Sequence, residues 1–150
     1  VFHKENAGTA YLAGFELFAE TSLSSNMSFR GHLSYVDGKN TDDDSPLSAL
    51  PPLFGFASFR YDQQRYWLEL YSRFAGSKED LSADDMEDLR IPEGGTPGWM
   101  TLNLRGAWTY SPKLIFRAGL ANIFDLNYRE HLSGFNAPGR NFTLGIDVGI

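Results

Sequence analysis

A chain of 150 residues has room for one domain, and its formal net charge of -6 argues against a nucleic-acid partner, which requires a basic face. With no cysteine there is neither a disulfide framework nor a thiolate metal site. No apolar run reaches the roughly 18 residues of a membrane-spanning helix, whereas 12 Phe, 7 Tyr, 3 Trp and 15 Gly suit strands and turns.

Period-2 alternation marks about seven strands, each near the roughly 9 to 11 residues that a tilted strand needs to cross a bilayer. In the first, Tyr11, Ala13, Phe15, Leu17 and Ala19 oppose Gly14, Glu16 and Glu20. The second sets Met27, Phe29, Leu33 and Tyr35 against Ser28, Arg30, His32 and Ser34. The third has Leu53, Gly55, Ala57, Phe59 and Tyr61 on one side, with two phenylalanines, Phe54 and Phe56, among Ser58, Arg60 and Asp62 on the other. Tyr66, Leu68, Leu70 and Phe74 face away from Trp67, Glu69, Tyr71 and Arg73 in the fourth. The fifth divides Met100, Leu102, Leu104, Trp108 and Tyr110 from Trp99, Thr101, Asn103, Arg105 and Ala107, and the sixth Leu114, Phe116, Ala118 and Leu120 from Ile115, Arg117, Gly119 and Ala121. In the seventh, Phe142, Leu144, Ile146, Val148 and Ile150 alternate with Asn141, Thr143, Gly145, Asp147 and Gly149.

Alternation alone fits a soluble β-sandwich as well as a membrane barrel, and a mean hydropathy of -0.31 fits both. The connections separate the two. Short links (Ser24 to Asn26, Asp62 to Gln64, Ser111 to Lys113) alternate with long ones (about Asp37 to Pro52, Ala75 to Gly98, Asn127 to Arg140), the rhythm of an up-and-down membrane barrel with tight turns at one rim and large loops at the other. Tyr35, Tyr61, Tyr66, Trp99, Trp108, Tyr110 and Tyr128 lie near strand ends, where interfacial girdles are expected. The predicted fold is all-β: an antiparallel, up-and-down transmembrane β-barrel segment. Phe29, Leu33, Leu68, Leu70, Leu102, Leu104, Leu144 and Ile146 are predicted to face lipid.

Four words stand in register with these strands: Asn6 to Glu16, the pair Pro51-Pro52, Thr96-Pro97-Gly98-Trp99, and Asn122-Ile123-Phe124-Asp125 followed by Tyr128 and Pro138-Gly139-Arg140. Together they resemble the C-terminal barrel region of TonB-dependent outer-membrane receptors. Read as residues, Asn122 and Asp125 are short polar side chains suited to closing a strand end through local backbone bonds. The Pro-Gly pairs precede strands, where proline needs no ladder partner and glycine permits the turn.

The resemblance implies a bacterial outer-membrane location and a barrel of twenty-two strands around an N-terminal plug. It also implies uptake of a scarce nutrient, such as a ferric siderophore, haem or cobalamin, energised through TonB. The expected partners are the remaining barrel, the plug, the TonB complex, and outer-membrane lipid and lipopolysaccharide. Seven strands cannot close so wide a barrel. Val1 in place of an initiator Met, with no leader before it, leads us to expect a piece excised from a longer protein. Such barrels usually end in an aromatic residue, and Ile150 departs from that pattern while keeping its parity.

For chemistry, His3, His32 and His131 lack metal-site spacing, and no nucleophile-elbow motif supports an enzyme; neither metal nor cofactor is expected. Asp42-Asp43-Asp44 and Glu79 to Asp88 lack the spacing and glycine of a calcium loop and read as solvated loops. Glu16, Glu20, Arg30, Arg60, Glu69, Arg73, Arg105 and Arg117 read as cross-strand ion pairs on a wetted wall, or as contacts to the plug. If the long loops are extracellular, as the resemblance implies, ligand contacts are expected at Arg129, Glu130, His131 and Asn136 in the last loop. Asp84, Asp85 and Arg90 in the loop before are further candidates. A passive porin, a soluble ligand-binding β-domain and a barrel enzyme are the rival readings.

Overall fold

The computed structural model describes residues 8–149. Seven strands follow in chain order: β1 (Ala10–Ser22), β2 (Met27–Asn40), β3 (Phe54–Asp62), β4 (Tyr66–Ala75), β5 (Trp99–Ser111), β6 (Leu114–Ala121) and β7 (Asn141–Val148). They form one sheet in sequence order, each antiparallel to the next, with β1 and β7 as open edges. Among the described residues one short helix, α1 (Ala83–Glu87), lies in the second long loop. His3, the first two residues of the Asn6 to Glu16 word and Ile150 fall outside the described residues.

The register keeps the two faces apart across the whole sheet. One row runs Phe29, Phe59, Leu70, Leu104, Leu120, Phe142; the adjacent row runs Ser28, Arg60, Glu69, Arg105, Gly119, Thr143. A slip of one residue anywhere would put charge into the apolar face, so the alternation itself specifies the pairing. Cross-strand aromatic pairs reinforce it: the Phe29 and Phe59 rings lie tilted 5.1 Å apart, and the Trp108 and Phe116 rings stacked 5.8 Å apart.

Burial is inside-out for a water-soluble protein. Among the described residues only Ile91 and Ala107 are buried hydrophobics, while Ser58, Glu69, Thr101 and Asn103 are buried polar groups. On the apolar face Leu68, Leu70, Leu104, Leu144 and Ile146 are exposed, Leu144 by 89%. A soluble sandwich would hide that face and show the other to water. The arrangement is that of an open segment of a transmembrane barrel wall, apolar outside and polar within.

Three details differ from the sequence expectation. β2 continues past Tyr35 to Asn40, because its last residues pair with β1 down to Ala10; ladder bonds hold a strand whose side chains no longer alternate. The long connections are therefore 41–53, 76–98 and 122–140, and the short turns 23–26, 63–65 and 112–113. The acidic stretch expected as plain loop contains α1, where Ser82 and Asp85 form a reciprocal capping box. Tyr61, Tyr66, Trp108 and Tyr110 are exposed beside the short turns and Trp99 opens β5 at the opposite end, but Tyr128 lies within the 122–140 connection rather than at a strand end, its ring 4.3 Å from that of Trp99.

Candidate functional site at the long-loop end

The three long loops are tied to one another and to the polar face of the sheet. Asp85, 3% exposed, accepts from the backbone N–H of Ala49 at 2.9 Å with Oδ1 and from that of Ser82 at 3.3 Å with Oδ2. One carboxylate thus joins the first loop to the second and caps α1. It also supports Ala49 in a left-handed conformation at φ 59, which alanine rarely adopts.

The second loop joins the third through Thr96, whose hydroxyl shares a 2.8 Å hydrogen bond with His131 Nδ1. Thr96 is itself pinned to Lys78 by two backbone hydrogen bonds of 2.9 Å. Burial holds the His131 imidazole below its ordinary value of 6.5, and Nε2 is enclosed with no protein partner. From the sheet, Arg73 Nη2 donates to Glu130 Oε1 at 2.8 Å while its guanidinium lies 5.6 Å from the Trp99 ring. Burial raises Tyr128, the partner of Trp99. Beneath these contacts a cavity of about 390 Å³ is lined by His32, Phe54, Phe56, Arg73, Trp99, Glu130 and His131. The two phenylalanines on the polar side of β3 belong here: Phe54 meets His32 at 5.9 Å and Phe56 meets Tyr71 at 6.2 Å.

Asn122 anchors the third loop. It is 4% exposed, with φ 50. Its amide oxygen accepts from Leu126 N at 2.9 Å, its amide nitrogen donates to Leu126 O at 2.8 Å and Pro138 O at 3.3 Å, and its backbone N–H donates to Asn103 Oδ1 at 2.8 Å. Arg140 donates from its backbone N–H to Asp125 Oδ1 at 2.6 Å and from Nε to Ile123 O at 2.9 Å. Gly98 serves a close approach, since a methyl there would lie 2.9 Å from Ser77 N.

The residues expected to meet ligand therefore divide. Asp84, Arg90, Glu130 and Asn136 are exposed, whereas Asp85 and His131 turn inward. Arg129 Nε donates to Asn136 Oδ1 at 3.1 Å, and Asn136 in turn donates to Asn127 at 2.8 Å. Arg90 grips Asp88 with contacts down to 2.6 Å and holds its carboxyl at about 2. Sequence alone does not mark Asn103 and Trp99 as site residues. Each is one polar-face residue among many in β5, and only the folded loop gives it a partner. Among the described residues no cluster of three or more His, Asp or Glu is arranged to hold a metal ion.

The chain belongs to the TonB-dependent receptor-like β-barrel family, whose model matches residues 2–123. Among solved structures it is similar to the copper transporter OprC, with 26% identity and a TM-score of 0.80, covering 93% of this chain and 23% of that one. The siderophore receptor PiuA from Acinetobacter baumannii matches at 12% identity and a TM-score of 0.71, covering 95% of this chain and 22% of that one. The FrpB iron transporter from Neisseria meningitidis matches at 18% identity and 0.73, covering 93% and 24%. These last two share the fold. The chain spans less than a quarter of each of these structures.

Proposed function

We propose that this chain is the C-terminal barrel portion of a bacterial outer-membrane receptor that imports a scarce, metal-containing nutrient on energy delivered through TonB. The observation that carries this reading is the long-loop end. Three loops interlocked over a largely apolar, aromatic-lined cavity that also presents Arg73, Glu130 and His131 make a receptor mouth rather than an open pore. On this reading the long loops are extracellular, the short turns periplasmic, and the apolar face meets membrane lipid and lipopolysaccharide. The polar wall, with Glu69–Arg105 and Arg117–Asp147 pairs at 2.6 Å each, meets the plug, which with the preceding strands is carried elsewhere in the receptor. The chain performs no chemistry of its own in this scheme.

For cargo contact we retain the exposed Asp84, Arg90, Glu130 and Asn136, together with Arg129; Asp85 and His131 act by holding the loops in place. The cargo class includes ferric siderophores, haem and cobalamin, and the similarity to a copper transporter adds copper. The test is accumulation of copper, ferric siderophore, haem and cobalamin by cells whose sole such receptor is the full-length protein, with and without TonB. Uptake of one cargo that disappears without TonB is expected. Uptake indifferent to TonB would favour the passive porin.

A further inference from the structure

His131 is a side chain of the third loop that meets the second, and burial disfavours its charged form. Nδ1 is taken by Thr96 at 2.8 Å and Nε2 is enclosed without a protein partner. With its proton on Nδ1 the neutral ring donates to Thr96 and leaves Nε2 a bare acceptor, whereas the imidazolium puts an N–H there as well, a buried charged donor left unmet.

The neighbouring carboxylates already have hydrogen-bond partners of their own. Asp85 accepts from Ala49 and Ser82, Asp88 from Arg90, and Glu130 from Arg73. Asp85 and Asp88 pull the imidazole toward the charged form, while Lys78 and, more strongly, burial push it the other way. His32, on β2, lines the same cavity and adds no negative charge.

We propose that His131 is a pH-sensitive latch: neutral, it pins the third loop to the second across the mouth, and on protonation it leaves Thr96 and frees the loop. Release separates the third loop from the second, while the Arg73–Glu130 pair and the Trp99–Tyr128 stack still hold the third loop to the sheet. The latch rests on contacts between loops; only its consequence for cargo rests on this end being the outward mouth.

The sign follows from linkage. The latched imidazole titrates below 6.5 and the released one near 6.5, so the released state binds more protons in that window. The latch is fully present above 6.5 and weakens as pH falls, by up to about tenfold in its equilibrium constant per pH unit between the two values.

The experiment is a nitroxide distance measurement on the full-length receptor in lipid nanodiscs, labelled at Ser133→Cys and Glu93→Cys. A single short distance is expected at pH 7.5, with a longer, reversible population growing at pH 5.5. His131→Asn, which does not titrate, is expected to give the same distribution at both pH values. An unchanged wild-type distribution, or a His131→Asn shift equal to that of wild type, overturns the proposal. The distances report the latch whether or not a cargo is known, so its failure is distinguishable from failure of the uptake reading.

Discussion

Asp125 Oδ1 accepts the backbone N–H of Arg140 at 2.6 Å, and the same oxygen lies 2.6 Å from where a methyl on Gly139 would sit. The carboxylate closes the third loop onto the start of β7 only because residue 139 has no side chain. Gly139→Ala should therefore destabilise the receptor by about 1–3 kcal/mol through overpacking. In an Asp125→Ala background, which itself loses about 1 kcal/mol of hydrogen bonding, the same substitution should cost much less. Unfolding in urea, followed by the heat-modifiable gel shift of the barrel, gives all four corners of the cycle. Equal penalties in both backgrounds would show that the glycine serves something other than this carboxylate.

Asp85 ties the first loop to the second through Ala49, so Asp85→Ala should loosen residues 41–53 without disturbing the sheet. Limited proteolysis of the embedded receptor should cut that loop about tenfold faster, with the barrel's unfolding transition unchanged. Ala49→Gly, which relieves the left-handed backbone at φ 59, should slow the cutting in either background.

Replacing Arg129, Glu130 and His131 together should impair cargo binding while leaving barrel assembly intact, because long loops carry binding and short turns set register. Glu130 and His131 both hold the loop down, so part of the loss comes from loop release. Asp84→Ala and Asn136→Ala, made singly, separate direct contact from release. Parental affinity in a correctly assembled triple variant would count against a ligand role for the third loop.

Arg90 holds the Asp88 carboxyl at about 2, against an ordinary 3.8. The depressed value means that the pair's contribution is present above 3.8 and is lost as pH falls through about 2. Arg90→Gln should return Asp88 toward 3.8, read from the carboxyl carbon in an NMR titration. An unmoved titration would mean that the backbone N–H of residue 90, not its guanidinium, sets the value.

Much of the wall was legible because its signal is local. From Phe142 to Val148 every second residue is apolar, and parity alone assigns the face. The end of β2 was not legible, since Val36 to Asn40 carry no alternation and are strand only through pairing with β1. The capping box of α1 was open to reading in Ser82 and Asp85, but five helical residues among acids look like solvated loop. The structural character of Asn122 and Asp125 could be read from residue type. The local bonds of Asn122 to Leu126, four residues on, fit that reading. The meetings of Asp125 with Arg140 and of His131 with Thr96 could not be read, because contacts 15 to 35 residues apart exist only once the loops fold together.

The apolar face of this sheet is expected to meet lipid. The direct measurement is single-cysteine labelling with a nitroxide at each position from Asn141 to Val148 in the reconstituted full-length receptor, with collision rates to oxygen and to a water-soluble nickel chelate. Labels at Phe142, Leu144, Ile146 and Val148 should favour oxygen, and labels at Asn141, Thr143, Gly145 and Asp147 the chelate or neither, in strict period two. Oxygen preference at the odd positions, or no alternation at all, would contradict the membrane-barrel account.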